Sequence, residues 1–232
     1  MSTYLELCQN LAEECRIKGT GPNSVIQQSG IYLKIVNIVA RADLYIQGKW
    51  ANWDFMMSEH LADTVVSGTP TVATSTYTKP ADHATWDLDS FWIDYDQNTS
   101  LKLGYIEYRE WRKSFRIGVL ENDMPYCFTV KPNKDIIIFP PADAVYQLSA
   151  DYWQKPYAMT ENTSLSPIPS EFHEIIVAKG KMVYGVRESS PEIFTEGELR
   201  YSEIMENLEA SQLPGQQNRS MSEGEEIIVR PE

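Results

Sequence analysis

The chain has 232 residues, a formal charge of −13 and 42% hydrophobic side chains, enough for one large domain or two intimate ones with a real core. The acidic balance argues against a broad surface for nucleic-acid phosphates. No stretch nears the roughly 20 apolar residues of a membrane span, and the opening MSTYLELCQN has neither the basic nor the apolar region of a secretory signal.

Thr3-Tyr4-Leu5-Glu6 is a capping box, and Tyr4, Cys8, Leu11 and Cys15 then recur at helical spacing until Gly19-Thr20-Gly21-Pro22 closes the first helix. Cys8, Cys15 and Cys127 are odd in number, and the first two lie about 10 Å apart along a helix axis, too far for a disulfide. They read as free, buried thiols. The second helix is capped by Ser29 and predicted to run to about Asn52. Ile31, Ile35, Ile38, Val39, Ala42, Tyr45 and Ile46 form one apolar stripe on it, and Leu33, Val36, Ala40 and Leu44 form a second on nearly the opposite side. A surface helix needs one such face, so either this helix is central in its own domain or its second stripe meets a neighbouring subunit, which is the preferred expectation.

From Trp53 to Trp153 the period changes to that of strands, at Phe91–Tyr95, Tyr126–Val130, Asp135–Phe139 and Val145–Tyr152, with Pro132-Asn133-Lys134 as a hairpin turn. Thr64 to Lys79 reads as a mobile loop or an extended hairpin, and Ile106 to Phe115 as a short helix. Pro167-Ile168-Pro169-Ser170 ends the β region and opens a third helix, about Glu171 to Glu188. Its apolar positions are Phe172, Ile175, Ile176, Met182, Val183 and Val186. Ser190 and Pro191 start a fourth, running to about Ser211, with Glu192, Glu196, Glu203 and Glu206 on one side. The remaining segment, 214–232, is too polar to fold alone, apart from one β-branched plug, Ile227-Ile228-Val229, that suits docking on a partner. The fold class is therefore α+β: a helical bundle (1–53 and 167–213), a β-rich insertion (54–166) and an extended C-terminal arm (214–232).

Site chemistry is thin. His173-Glu174 opens a helix without the second histidine of a zinc protease, Val177 standing at that place. Asp82-His83 and the acids Asp87, Asp89, Asp94 and Asp96 fit surface and packing roles better than a metal cluster. Trp50, Trp53, Trp111 and Trp153 sit in apolar contexts where core packing is the default. A carbohydrate-acting enzyme would need paired carboxylates in a cleft flanked by such tryptophans. No catalytic, cofactor or metal residues are assigned, and no cofactor is expected.

Several segments together carry a resemblance. TYLELCQNLAEECRIKGTGPNSVIQQSGIYLKIVNIVARADLYIQGKWANWDFM, YIEYREWRKSF, PYCFTVKPNKDIIIFPPAD, DYWQKPYAMT and IPSEFHEIIVAKGKMVYG stand in an order and spacing similar to the head-to-tail adaptor (connector) proteins of tailed bacteriophages, over most of residues 3–213. The resemblance implies a structural virion protein without enzymatic activity. It implies a homo-oligomeric ring, commonly of twelve copies, beneath the portal, through whose channel the packaged DNA passes without specific binding. Its partners would be the portal protein and a tail, nozzle or tail-completion protein. Its place would be the neck of the virion, after assembly in the host cytoplasm, and a tail-completion ring lower in the neck is the neighbouring alternative. On this reading Leu33, Val36, Ala40 and Leu44 form the subunit interface, Ile227, Ile228 and Val229 dock on the portal, and Glu192, Glu196, Glu203 and Glu206 are candidates for the channel wall.

Overall fold

The computed structural model describes residues 2–66, 71, 75–96, 99–115 and 121–213. The chain divides into two compact units, Met57–Lys155 and a second made from the segments on either side of it.

The outer segments form a helical unit. Helix α1 spans Tyr4–Glu14, and its capping box is intact: Thr3 Oγ1 accepts from the Glu6 amide and Glu6 Oε2 from the Thr3 amide. Its apolar face, Tyr4, Leu7, Cys8 and Leu11, is buried. Helix α2 spans Gly30–Gln47, five residues shorter than its periodicity suggests. It stops at Gly48, and the Trp53 indole donates to the Ile46 carbonyl, taking one of the acceptors that a longer helix would use. Helix α4 spans Glu174–Arg187 and opens through a 3₁₀ turn at Ser170–Phe172, later than the apolar pattern places it. Helix α5 spans Pro191–Gln212. Helices α4 and α5 form a tight hairpin that rests on two glycines. A Cβ on Gly185 would lie 2.7 Å from the Phe194 amide nitrogen, and one on Gly197 would lie 2.8 Å from the Ala178 carbonyl.

The chain returning to α4 is stitched to this unit. Thr3 bridges Leu165, the Tyr4 amide donates to the Ser164 carbonyl, and Asn162 Oδ1 accepts from the Val25 amide at 2.7 Å.

The β unit holds two sheets. In the five-stranded sheet, β9 (Gln147–Gln154) pairs from Gln147 to Trp153 with the whole of β1 (Met57–Asp63). On its other edge it pairs with β3 (His83–Trp86) and β4 (Trp92–Asp96), and β4 carries β5 (Thr99–Lys102). The alternation read in β9 is real: Leu148, Ala150 and Tyr152 are buried. The four-stranded sheet runs β2 (Thr76–Tyr77), β8 (Ile136–Phe139), β7 (Cys127–Val130), β6 (Gly104–Tyr105). Strands β7 and β8 form the expected hairpin, with Lys134 at φ 74° in its turn. Helix α3 (Tyr108–Phe115) packs on β7 through the buried Trp111. One core lies between the sheets, where Phe91 stacks on Phe128 at 3.7 Å and Trp86, Ile93, Leu103, Ile138 and Leu148 close around them.

Candidate functional site

The two stripes of α2 meet different surroundings. On the first, Ile35, Ile38, Val39, Ala42 and Ile46 are buried, whereas Tyr45 is 52% exposed with the Lys179 ammonium 4.0 Å from its ring centroid. On the second, Leu33 is 43% exposed and Ala40 and Leu44 are half-buried. Val36 is covered within the chain: it lies at the flank facing α1, where the Tyr4 hydroxyl donates to its carbonyl at 2.8 Å. The exposed charged residues along α2, Lys34 and Arg41, are both basic.

Between these stripes sits a feature that hydrophobic patterning passes over. Asp43 is fully buried. Its carboxylate accepts from Ser166 Oγ at 2.6 Å and from Gln47 Nε2 at 2.7 Å, and Gln47 in turn holds the Tyr157 backbone through both its amide atoms. Burial pushes the Asp43 carboxyl up to about 6, against the lowering effect of those hydrogen bonds. The signal was an acid and an amide four apart on the buried side of an apolar helix, while the partner, Ser166, lies 123 residues away.

The acids of α5 divide. Glu196 pairs with Lys181 at 2.9 Å and Glu203 with Arg200 at 2.8 Å, while Glu192 and Glu206 are exposed with no ion pair among the described residues. Lys181 is only 6% exposed and takes a second carboxylate, Glu14, at 2.9 Å. Glu14, Lys181, Glu196 and Arg200 line a polar groove of about 700 Å³ across α1, α4 and α5. His173 borders the groove. Its Nε2 lies 2.9 Å from the Ile168 carbonyl and its Nδ1 accepts from the Ser2 amide, so the neutral tautomer protonated at Nε2 satisfies both contacts. Ile227, Ile228 and Val229 lie outside the described residues.

The other candidate chemistry is dispersed. Asp82 accepts from Tyr152 and Gln154, Asp87 from the Asp89 amide, and Asp94 from Ser100. Among the described residues no three His, Cys, Asp or Glu side chains are placed to hold a metal ion. His83 is 1% exposed, lies against the rings of Trp86 and Tyr152, and its ring nitrogens reach no hydrogen-bonding group of another residue among the described residues. Burial, with the charge of Lys79 next, pushes it down to about 4. The three cysteines are free and buried, and burial pushes Cys8 and Cys15 up to about 12 and Cys127 to about 11. Trp53 and Trp111 are core residues, but Trp50 is 43% exposed and donates to Glu209, so its apolar neighbourhood in sequence misleads. The α4 pattern misleads similarly: Val186 is 68% exposed and Met182 and Val183 are half-buried.

No helix among the described residues is long and apolar enough to cross a membrane. Residues 2–217 match the family model described as SU10 adaptor protein. No curated protein matches the chain.

Proposed function

The chain belongs to the SU10 adaptor protein family, a family of phage head-to-tail adaptors, and on that premise we propose that its copies close into a ring of twelve that joins the portal of the filled head to the tail. The ring extends the DNA channel and sits in the neck of the virion after assembly in the host cytoplasm. It acts as a structural part and not as an enzyme.

The observation that carries the ring is the uncovered row on α2. A helix that buries Ile35, Ile38, Val39, Ala42 and Ile46 on its other side still leaves Leu33 exposed and Ala40 and Leu44 half-buried. A heterologous contact that closes on itself removes such a row in every copy at once. Val36 contributes through the chain's own core, so the contact surface is Leu33, Ala40 and Leu44, with Arg41 beside them. Of the four α5 acids, Glu192 and Glu206 are the ones left free for a channel wall among the described residues, since Glu196 and Glu203 are engaged by Lys181 and Arg200. Such a wall repels DNA phosphates and keeps the duplex from sticking. The arm, 214–232, carries Ile227, Ile228 and Val229 to the portal.

The test mixes purified chain with purified portal and reads the symmetry of the joined particle by cryo-electron microscopy. The chain should add a closed ring on the portal's tail-facing side. Leu33→Glu combined with Leu44→Glu should abolish the ring and leave the circular dichroism spectrum and melting temperature of the free chain intact. A double variant that still decorates portal rings removes α2 from the interface.

A further inference from the structure

The hairpin of α4 and α5 carries a groove that the ring reading leaves without a role. Its apolar walls are Met182, Val183, Val186 and Phe194, and its volume is about 260 Å³. It continues past Gly185, Ser189 and Pro191 at the hairpin tip. The two charged residues that line it, Lys179 and Arg187, are both basic, in a chain of 33 acids against 20 bases. Lys179 is held over the rings of Tyr45 and Tyr201 at 4.0 and 5.0 Å, contacts that orient an ammonium without neutralising it. Arg187 is exposed and has no ion pair among the described residues. A groove of this kind selects a short apolar segment with acids beside it.

The chain contains that segment. Glu225 and Glu226 immediately precede Ile227-Ile228-Val229. We infer that Ile227-Ile228-Val229 docks into the α4–α5 groove of its own chain, with Glu225 and Glu226 set against Lys179 and Arg187. The reach is sufficient. Phe194 lies about 27 Å back along α5 from its last turn, and the residues from 214 to 226 span up to about 45 Å when extended. A freely orienting tether of that length has a typical end-to-end distance near 20 Å. It holds the plug at roughly millimolar effective concentration, so a weak contact fills the groove. Docking covers Val186 in a free copy. It does not rest on the ring, because it concerns a chain before any partner arrives. The portal and the groove then compete for one triad, and joining the portal requires its release.

The test uses the full chain. A photo-crosslinking benzoylphenylalanine replaces Pro231, next to the plug. Equal parts of isotopically heavy and light protein are mixed, irradiated and mapped by mass spectrometry. Crosslinks should fall on the stretch from Met182 to Phe194 and join only fragments of one isotope. Arg187→Glu, at an exposed position, should cut their yield about tenfold or more, and adding Glu225→Lys and Glu226→Lys should restore it. Heavy-to-light crosslinks would name a second copy as the occupant and overturn the inference. So would crosslinks scattered over other surfaces, or a yield that Arg187→Glu leaves unchanged.

Discussion

Asp43 in the helical unit and His83 in the β unit are both closed off from solvent, at 0% and 1% exposure, but their surroundings differ. Asp43 is tied by Ser166 and Gln47 into a network that fastens the returning chain to α2. The His83 ring has aromatic rings around it and no hydrogen-bond partner among the described residues. Packing follows the same division. The helical unit closes where side chains are missing, at Gly180, Gly185 and Gly197, and the β unit closes around large rings, Trp86, Phe91 and Phe128. A unit built on close backbone approach tolerates truncation better than enlargement. A unit built on stacked rings has the opposite weakness.

The sharpest way to break that comparison is to remove a ring. Phe128 is fully buried and stacked on Phe91. Phe128→Ala deletes that volume between two sheets that can collapse only partly, and should cost about 3–5 kcal/mol, read as a shift in the urea midpoint. A cost near 1 kcal/mol would mean that the sheets close over the cavity and that ring stacking does not hold the unit.

Enlargement should hurt the other unit. A Cβ on Gly197 meets the Ala178 carbonyl oxygen and Lys181 Cβ, both at 2.8 Å, and neither is a flexible end. Overpacking of this kind costs about 1–3 kcal/mol. Alanine returns up to about 1 kcal/mol of helix propensity, so Gly197→Ala should destabilise by about 1–2 kcal/mol in the same urea assay. Gly104 in the β unit is the control, since its Cβ would find its nearest neighbour, the Tyr126 carbonyl, at 3.7 Å. Gly104→Ala should stay within about 0.5 kcal/mol of the parent. Equal losses at both glycines would erase the distinction between the units.

What was legible in the sequence follows from the range of the forces involved. The capping box at Thr3, the Pro191 start of α5 and the Lys134 turn are local chemistry, and each stands where its residues place it. The alternation of β9 is strong because one face is buried. Strand β1 was not legible. Its sequence, MSEHLAD, is mostly polar, and it is a strand because β9 supplies a partner at all seven positions. Strands β3 and β5 are likewise held by partners more than by their own pattern. On α2 the two stripes were visible, but periodicity could not tell that Tyr4 closes over Val36 while Leu33 stays open. Nor could it find Ser166 for Asp43.

The last comparison is in the response to acid, and it is the smallest for the whole chain because its contributions oppose each other. The Asp43 carboxyl is raised from 3.8 to about 6, so the folded state binds its proton more readily than the unfolded state. That cost is full above pH 6 and disappears as pH falls toward 4. His83 runs the other way: lowered from 6.5 to about 4, it favours folding above 6.5 and loses that contribution as pH falls toward 4. His60 and His173, both lowered by burial, add to the loss, while Asp151, raised by burial, offsets a little of it. Glu174, held low by the Arg200 hydrogen bond, adds to the loss toward the acid end of this range. The parent should therefore lose modestly in urea midpoint between pH 6.5 and 4.5. Asp43→Asn, which cannot gain on protonation, should lose more, and His83→Gln should lose less. Because each variant is compared with itself across pH, a fixed cost such as a hydrogen bond that the asparagine amide cannot reproduce drops out of the difference. Parallel pH slopes in the parent and Asp43→Asn would mean that the buried carboxyl is already protonated or already hydrated near neutral pH, and the contrast between a partnered acid and an unpartnered base would no longer separate the two units.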